Sequence, residues 1–496
     1  MPISFGLDTT GVTRPDEHLR QTRWLRGRLD RGLIMVRLFS HYVPSITLMR
    51  LVAEAMVLLI AGFGAAWIST PGSIESLLPA LVPASVFALL MTMLMSALGL
   101  YQREQPRNLS ELVGRVLFAF LLGLPVAYLV FRLLPQGSMA MPALDVSLCL
   151  GFGGILLLRA AAFVQADGAG MFTRRILVVG TGPEAASVWA SVSTSASATH
   201  TIVGFVPVGM DGTIDVPPSM VMPEGSCVMQ LARDHRANEI VVAVRERRGG
   251  VLPLRELLDC KLAGVTVNDL SSFFERMRGQ VRLDSLRASW LIYGDGFRQG
   301  IGRTVVKRLF DVVAASVLLL VTAPVMLLAA IAIALESGFP VIYRQERVGQ
   351  GGRTFKVLKF RSMRLDAEAD GKPRWATSSD DRITRVGHFM RKTRIDELPQ
   401  IFNVLHGDMS FVGPRPERPY FVDQLTDQIP FYAARHSVKP GITGWAQVRY
   451  SYGASVDDAV QKLQYDLYYV KNHTLFLDVL VLVQTVRVVL TGDGAR

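Results

Sequence analysis

Four long apolar runs in the first third of the chain limit what it can fold into. They cover residues 51–69, 77–100, 116–134 and 146–164, and each is close to the roughly 20 residues that an α-helix needs to cross a bilayer. Half of the 496 residues are hydrophobic, and the mean hydropathy of +0.31 is too high for an ordinary soluble protein of this size. The runs therefore predict a membrane bundle of four transmembrane helices within residues 46–166.

The charges that flank these runs predict their orientation. The segment before the first run is basic and includes Arg20, Arg23, Arg26, Arg28 and Arg31. Further arginines follow the second and fourth runs, whereas the other two connections carry no Lys or Arg. By the positive-inside rule both ends of the bundle face the cytoplasm, and residues 1–45 form a basic cytoplasmic segment that is not a cleavable signal peptide. Glu54 and Arg159 lie near helix ends, where we expect their charges to reach the interface.

Charge and cysteine usage exclude some functions. The formal charge of +11 suits nucleic acid, anionic lipid or a phosphorylated substrate, and the apolar runs favour the last two, so no nucleic-acid partner is predicted. The three cysteines, Cys149, Cys227 and Cys260, are isolated from one another. They form neither a zinc motif nor a disulfide framework, which indicates a reducing setting for the soluble parts.

Residues 172–295 alternate short β-rich runs with helix-like stretches, which predicts a parallel, Rossmann-like α/β domain. The first run leads into Gly180-Thr-Gly182-Pro-Glu-Ala185, a G-x-G-x-x-A turn. Such a turn brings a backbone close to a pyrophosphate at a helix N-terminus, or it serves packing or regulation. No acidic residue follows about 20 positions later to hold a ribose. The turn therefore leaves both interpretations open, and a redox site is not expected.

A third section spans residues 300–496 and begins with an uncharged segment, 312–335, that has Pro324 at its middle. The segment could span a bilayer, but basic residues flank it on both sides, which predicts that both ends are cytoplasmic. Pro324 removes one backbone donor and would bend the helix there, so we expect a re-entrant membrane helix. A later apolar segment, 475–490, carries Asp478, Gln484 and Arg487 and is typical of an interfacial amphipathic helix.

The most informative stretch in the chain contains Asp396 and Glu397. Apolar residues at helical spacing follow the two carboxylates, Pro399 is tolerated only in a first turn, and Gly407 suits a helix end. Asp396 and Glu397 are therefore predicted at a helix start, where the macrodipole stabilises anions. A plain N-cap with an acidic first turn would also explain an isolated Asp-Glu pair.

Basic residues nearby favour a catalytic interpretation. Residues 355–364 alternate basic and apolar side chains, as in a strand with one charged face that includes Lys359 and Arg361. The run Gly413-Pro-Arg415-Pro-Glu-Arg418-Pro fixes two arginines in a rigid turn, and guanidinium forks bind phosphate oxygens bidentately. Phosphoryl transfer needs such an arrangement, in which one carboxylate attacks phosphorus and the other helps to hold Mg²⁺ against a diphosphate. The further substrate-binding candidates are Arg361, Arg391, Pro416 and Arg418.

Several ordered motifs over about 190 residues together resemble the bacterial sugar transferase family, the monotopic-type phosphoglycosyl transferases. They are Lys307-Arg308-x-x-Asp311, Lys359-Phe-Arg361-Ser-Met, Asp396-Glu-Leu-Pro-Gln, Asn403-Val-x-x-Gly407-Asp-Met-Ser, Val412-Gly-Pro-Arg415-Pro and the run from Lys439 to Val448. The resemblance implies an α/β catalytic domain in which Asp396 forms a covalent phosphosugar intermediate with loss of UMP. It also implies that Glu397 is the partner of Asp396 and a Mg²⁺ ligand, that Arg415 contacts substrate phosphate, and that Lys359 is catalytic.

The preceding helices and α/β domain look like the long form of this family, and Tyr452-Gly-Ala-Ser is similar to its exopolysaccharide branch. The resemblance implies a bacterial inner-membrane enzyme that transfers hexose 1-phosphate from UDP-glucose or UDP-galactose to undecaprenyl phosphate among membrane lipids. One departure is Ala323-Pro324, where the family usually has Ser-Pro. The alternatives are a membrane-bound nucleotide-sugar dehydratase or epimerase and a non-catalytic assembly scaffold. The oligomeric state stays open, with a homodimer as one option.

Overall fold

The computed structural model describes residues 35–38, 41–69, 77–101, 109–133, 137–166, 174–194, 200–208, 214–244, 252–283, 300–364, 382–450 and 455–491. The five arginines of the basic N-terminal segment and the Tyr452-Gly-Ala motif lie outside these residues. The description begins with an antiparallel pair of short strands, β1 (Met35–Leu38) and β2 (His41–Pro44).

Four apolar helices follow, as the hydropathy predicted: α1 (Ser45–Ser69), α2 (Leu77–Ala97), α3 (Leu109–Leu133) and α4 (Gly137–Ala166). Helices α1, α3 and α4 are long and apolar enough to cross a membrane, and α2 contributes a shorter apolar segment, Ala80–Ser96. Their inward faces share one core that includes Leu58, Phe87, Met91, Phe120, Leu144 and Ile155. Other faces expose large apolar side chains, as expected where lipid replaces water.

The expectation that the charges of Glu54 and Arg159 reach the interface is wrong for Glu54. The Glu54 side chain is only 1% exposed, and its Oε2 lies 2.8 Å from an Arg159 guanidinium nitrogen. The Tyr101 hydroxyl donates to the same oxygen at 2.6 Å. A charge inside a bundle is stable when an opposite charge and a hydrogen bond compensate it. Arg159 of α4 provides the charge, and Tyr101, which follows α2, provides the hydrogen bond.

The next region is α/β, in agreement with the predicted alternation. Its elements are β3 (Arg174–Val179), α5 (Pro183–Ser193), β4 (His200–Val206), α6 (Val228–Asp234), β5 (Glu239–Val242), α7 (Leu254–Leu262), β6 (Thr266–Asp269) and α8 (Leu270–Arg278). The four strands form a parallel sheet in the order β4-β3-β5-β6. Alternate residues of β3 enter two different cores, one shared with α5 and α8 and the other with α6 and α7. Helices therefore cover both faces of the sheet.

Gly180, the first glycine of the G-x-G-x-x-A turn, is required by local packing. Its φ of +122° lies in a region that favours glycine, and a Cβ there would collide with the Ala243 carbonyl oxygen. Gly182 instead has an ordinary φ of −79° and precedes α5. The tight turn therefore requires Gly180, and because a dinucleotide-binding turn has the same requirement, both interpretations stay open.

The last region begins with a 37-residue helix, α9 (Ile301–Ser337), that continues as α-helix through Ala323 and Pro324. It is followed by β7 (Ile342–Val348), β8 (Thr354–Phe360), α10 (Arg385–Thr393), α11 (Gln400–His406), β9 (Ser410–Val412), α12 (Pro419–Gln428), β10 (Gly441–Thr443), α13 (Trp445–Arg449), α14 (Val456–Asn472) and α15 (Leu475–Thr491). Strands β7 and β8 pair antiparallel, and β9 and β10 pair parallel. The segment predicted to be re-entrant, 312–335, lies wholly within α9.

One face of α9 packs on this region along most of its length. Ala315 joins a core with Val357 and Ile401, and Ile333 joins another with Phe360 and Met390. The remaining surface of α9 exposes large apolar side chains, among them Leu320, Val321, Leu327, Leu328 and Leu335. The helix therefore lies along the region that follows it and turns an apolar face outward.

Helix α15 differs from the interfacial helix that its polar residues suggested. Leu477, Asp478 and Val481 are completely buried. Asp478 lies 2.9 Å from the Lys307 ammonium of α9 and accepts a hydrogen bond from the Tyr469 hydroxyl at 2.7 Å. A buried carboxylate is stable when such partners compensate it, so Asp478 joins three helices instead of facing water.

Candidate active site

The Asp396-Glu397 pair lies in a turn between two helices. Helix α10 ends at Thr393, Arg394 adopts a left-handed conformation with φ of +61°, and residues Ile395–Glu397 form a single 3₁₀ turn. Pro399 then precedes α11. The predicted helix start is therefore displaced by a few residues, because Pro399 begins the helix and the carboxylates occupy the turn before it.

Asp396 is buried and incompletely hydrogen-bonded. Asp396 is 9% exposed, and its Oδ1 has no hydrogen-bond partner within the described part of the chain. Burial and the neighbouring Glu397 raise the pKa of Asp396 to about 6, against the opposing effect of Lys359, Arg391 and Arg394. A buried polar atom without a partner is costly, so its retention here indicates a role other than stability.

Glu397 has the opposite environment. Its Oε1 lies 2.9 Å from an Arg415 guanidinium nitrogen and 3.2 Å from the Lys359 ammonium. Burial alone would raise its pKa, but Arg415 and Lys359 outweigh burial and hold the pKa of Glu397 well below its usual range. Burial in turn lowers the pKa of Lys359, against the effect of Glu397. The pKa values of the two adjacent carboxylates are therefore shifted in opposite directions. In catalytic pairs of carboxylates, such opposite shifts give the two groups different roles.

The structure brings four of the sequence candidates, Asp396, Glu397, Lys359 and Arg415, into one cluster. Arg391 is close enough to favour the ionised form of Asp396. Arg394 does the same for both carboxylates and was not singled out from the sequence. The basic run around residues 391–394 was the only available signal for it.

Three other candidates have different surroundings. Arg361 is buried, and its Nη2 donates to the carbonyls of Ser337 and Gly338, so this nitrogen caps the C-terminus of α9. Pro416 is buried and its carbonyl accepts a hydrogen bond from Arg347, while Arg418 precedes α12 as its N-cap residue. The contacts of Arg361 and Pro416 join other parts of the fold, and the substrate-binding role of the three residues stays a prediction.

Sequence reasoning missed a buried group behind Arg415. The Arg435 guanidinium donates to the Arg415 carbonyl at 2.9 Å and pairs with Asp466 of α14 at 2.8 Å. The Tyr432 hydroxyl accepts a third hydrogen bond from Arg435 at 2.7 Å. Arg415, Arg435 and Asp466 are at least 20 residues apart and share no local pattern, so only the fold brings them together.

The residues present fit a Mg²⁺ ion. Mg²⁺ prefers oxygen ligands and usually binds one or two carboxylates together with substrate phosphates. Asp396 offers a carboxylate oxygen that no described residue hydrogen-bonds, next to Glu397. No cluster of three or more His, Cys, Asp or Glu side chains occurs among the described residues. A metal at this site would therefore depend on substrate oxygens for its remaining ligands.

The profile described as bacterial sugar transferase matches residues 302–492, which contain this site. Over 242 residues the chain is 47% identical to the UDP-N-acetylgalactosamine-undecaprenyl-phosphate N-acetylgalactosaminephosphotransferase of Aeromonas hydrophila, in an alignment that covers 49% of this chain and 56% of that protein. Over 191 residues it is 45% identical to the UDP-glucose:undecaprenyl-phosphate glucose-1-phosphate transferase of Caulobacter vibrioides, covering 38% of this chain and 71% of the relative.

A third relative, the UDP-glucose:undecaprenyl-phosphate glucose-1-phosphate transferase of Escherichia coli strain K12, is 42% identical over 189 residues, which are 38% of this chain and 40% of its own length. All three relatives are named as undecaprenyl-phosphate sugar phosphotransferases. The chain covers more than two thirds of the Caulobacter protein at high identity, and the family profile includes the carboxylate pair with its two cations. This protein therefore belongs to the bacterial sugar transferase family.

Proposed function

We propose that this protein transfers hexose 1-phosphate from a UDP-sugar to undecaprenyl phosphate and releases UMP, with Asp396 as the nucleophile. The observation that carries the proposal is the environment of Asp396, a buried carboxylate with one oxygen that has no hydrogen-bond partner among the described residues. It lies beside Glu397, which two cations contact. The names of the relatives support the same reaction class. The dehydratase and scaffold alternatives have no comparable observation in their favour.

In the first step, a carboxylate oxygen of Asp396 attacks the phosphorus that carries the sugar. The bond from that phosphorus to the bridging oxygen breaks, UMP leaves with the electron pair, and the sugar phosphate stays on Asp396 as an acyl phosphate. Arg415 and Lys359 provide positive charge beside the reacting phosphate. Glu397 holds these two cations in place, because its Oε1 contacts both of them.

In the second step, a phosphate oxygen of undecaprenyl phosphate attacks the same phosphorus. The acyl phosphate bond breaks, Asp396 is regenerated, and the product is a polyprenyl diphosphate sugar. The acceptor is a lipid, and the exposed apolar surface of α9 provides a face that lipid can cover. The two half-reactions predict ping-pong kinetics.

We also propose that Asp396 and Glu397 hold Mg²⁺ together with the diphosphate of the donor. The ion would neutralise charge on the phosphate oxygens. Asp396 suits this role because its Oδ1 has no hydrogen-bond partner among the described residues. A requirement for Mg²⁺ is tested directly by chelation with EDTA, followed by its replacement.

The proposed donor is a UDP-hexose. The reaction is proposed to be the first membrane step in the synthesis of an exopolysaccharide or O-antigen repeat unit. The relatives are named for two different sugars, glucose and N-acetylgalactosamine. Both UDP derivatives therefore belong in a donor panel, together with UDP-galactose.

The architecture proposed around the site is a Rossmann-like α/β domain at 172–295, a catalytic domain at 300–496 and a re-entrant α9, all facing the cytoplasm of a bacterial inner membrane. Contacts of both ends of α9 with the same domain argue against a helix that crosses the bilayer. Arg308 donates to the Val404 and Leu405 carbonyls, and Arg361 donates to the Ser337 carbonyl. These contacts are about 40 Å apart along a helix. If α9 spanned the bilayer, these two sets of contacts would lie on opposite sides of it. Both sets, however, join α9 to the same catalytic domain.

The function is tested by UMP release from nanodisc-held protein that is incubated with undecaprenyl phosphate and each UDP-sugar of the panel. We expect release with at least one donor, and a phosphohexose adduct on intact protein when the acceptor is omitted. Absence of UMP with every donor, in protein that remains folded, would reject the proposed function.

The topology is tested by labelling single cysteines in a variant that lacks Cys149, Cys227 and Cys260. Suitable positions are Gly302 and Thr354, which flank the apolar segment and are exposed. Gly371, the position suggested by sequence alone, lies outside the described residues. With an impermeant maleimide on intact spheroplasts, both sites should stay unlabelled until the membrane is broken. Labelling of the Thr354 site alone would mean that α9 spans the bilayer.

A further inference from the structure

The loop that carries Arg415 is held by an unusual series of hydrogen bonds. Four consecutive carbonyls, those of residues 414–417, each accept one. Backbone amides of Gly441 and Val348 bind the two outer carbonyls, at 3.0 and 2.9 Å. Guanidinium groups bind the two inner ones: Arg435 binds the Arg415 carbonyl at 2.9 Å, and Arg347 binds that of Pro416 at 3.1 Å. Arg435 therefore fixes the backbone of the residue whose side chain contacts Glu397.

Arg435 is itself fixed from behind. It is 6% exposed, and its partner Asp466 is 2% exposed. The pair joins the 3₁₀ turn Tyr432–Ser437 to α14, and the Arg435 guanidinium also lies over the Tyr432 ring at 5.2 Å. A buried ion pair is often no more stabilising than a well-packed apolar pair of the same volume. Stability alone is therefore a weak explanation for the presence of this ion pair. The contact of Arg435 with the Arg415 carbonyl provides a specific explanation.

We propose that Arg435 and Asp466 are a positioning pair for Arg415. Neither contacts the carboxylate pair; they set the place of the Arg415 fork relative to the donor phosphate through its backbone. A fork is effective only in the correct orientation, and a displacement of about 1 Å costs on the order of 100-fold in rate. This inference rests on the proposed function, because it assumes that Arg415 acts on a phosphate group.

The test uses the paired variant Arg435→Met/Asp466→Leu, which keeps the core filled and leaves no buried charge unpaired. In nanodiscs, with the donor that wild type uses, we expect kcat/KM for the UDP-sugar to fall about 10- to 100-fold, with little change in Tm. The decisive measurement is the same paired change in an Arg415→Ala background. In that background the paired change should cause no further loss of kcat/KM, because the effects of residues that act through one group are not additive.

Two controls keep the result interpretable. Lys471→Met breaks a different, partly buried ion pair of α14, with Glu275, and should change kcat/KM by less than about twofold. If the paired variant does not fold, Tyr432→Phe removes only one hydrogen bond to Arg435 and should cause a smaller loss that also disappears in the Arg415→Ala background.

The outcomes separate the two claims. A wild type that releases no UMP rejects the proposed function. An active wild type whose paired variant keeps the wild-type kcat/KM rejects the positioning role, and so does a loss that adds fully to that of Arg415→Ala. A loss of equal size in Lys471→Met would show that the packing of α14, and not the contact with Arg415, is responsible.

Discussion

The α/β region and the catalytic region each contain a buried cluster of carboxylates and cations. The two clusters differ in how many of their carboxylate oxygens have a partner. Around Glu239 every contact is short: Oε2 pairs with Arg174 at 2.7 Å, and Oε1 contacts Arg276 and Asn268, each at 2.7 Å. In the Asp396-Glu397 pair, two cations contact Glu397, but one oxygen of Asp396 has no hydrogen-bond partner in the part of the chain that the structure describes. A carboxylate with complete partners stabilises a fold, whereas one that is buried and incomplete is available to a substrate. The predictions below test this distinction.

The largest expected effect is that of Asp396→Asn, which should lower turnover by a factor on the order of 10⁴ or more because an amide does not attack phosphorus. The Tm should not fall, since the change removes a carboxylate that burial disfavours. UMP release and intact protein mass with donor alone provide the measurements. Substantial turnover in a sample checked for deamidation would contradict the assignment of the nucleophile.

Glu239→Gln should show the reverse pattern. The change leaves Arg174 and Arg276 without their carboxylate, and breaking a buried pair in this way costs about 3 kcal/mol. We expect a lower Tm for the α/β region in thermal unfolding, but a normal extent of phosphohexose adduct per folded molecule. A folded variant that forms no adduct would show that the Glu239 cluster contributes to the chemistry, and the distinction between the two clusters would fail.

A smaller effect separates the two glycines of the α/β turn. Gly180→Ala introduces a Cβ against the Ala243 carbonyl at a φ of +122°, so we expect a loss of about 1–3 kcal/mol. Gly182→Ala, at a φ of −79°, should cost less than about 1 kcal/mol. The backbone angles therefore predict that Gly180, and not Gly182, is the sensitive position. Equal Tm values for the two variants would reject the packing interpretation.

The sequence predicts those features of the molecule that local patterns encode. Hydropathy identifies the apolar helices, and the spacing around Asp396 places it beside a helix start. Period-two alternation also linked Arg361 to Lys359, but β8 ends at Phe360, so the alternation stops and Arg361 turns to the end of α9 instead. The pairings of Glu54 with Arg159 and of Arg435 with Asp466 depend on tertiary packing, and no local pattern announces them.

The smallest effect concerns the dependence of stability on pH and metal. The pKa of Asp396 is raised to about 6, mainly by burial, so the folded protein binds this proton more tightly than the unfolded chain does. The stabilisation from protonation is therefore present at low pH and is lost as the pH rises through about 6. In EDTA, the stability of Asp396→Asn relative to wild type should increase between pH 5 and pH 7.5 by about 1.4 kcal/mol, because the rest of the stabilisation is lost between pH 4 and pH 5. The increase is measured as a growing difference in Tm.

Added Mg²⁺ sharpens this test without any activity measurement. If Asp396 is a ligand, the ion offsets the cost of its buried charge, so Mg²⁺ at pH 7.5 should raise the Tm of wild type more than that of Asp396→Asn. Glu239→Gln is the matched control: it should keep the wild-type response to Mg²⁺, because Glu239 already has its partners in Arg174, Arg276 and Asn268. Equal responses of wild type and Asp396→Asn would remove Asp396 from the proposed metal site and leave Glu397 with the donor oxygens. A response lost in Glu239→Gln would instead place the ion in the α/β region, where the completeness of the cluster argues against it.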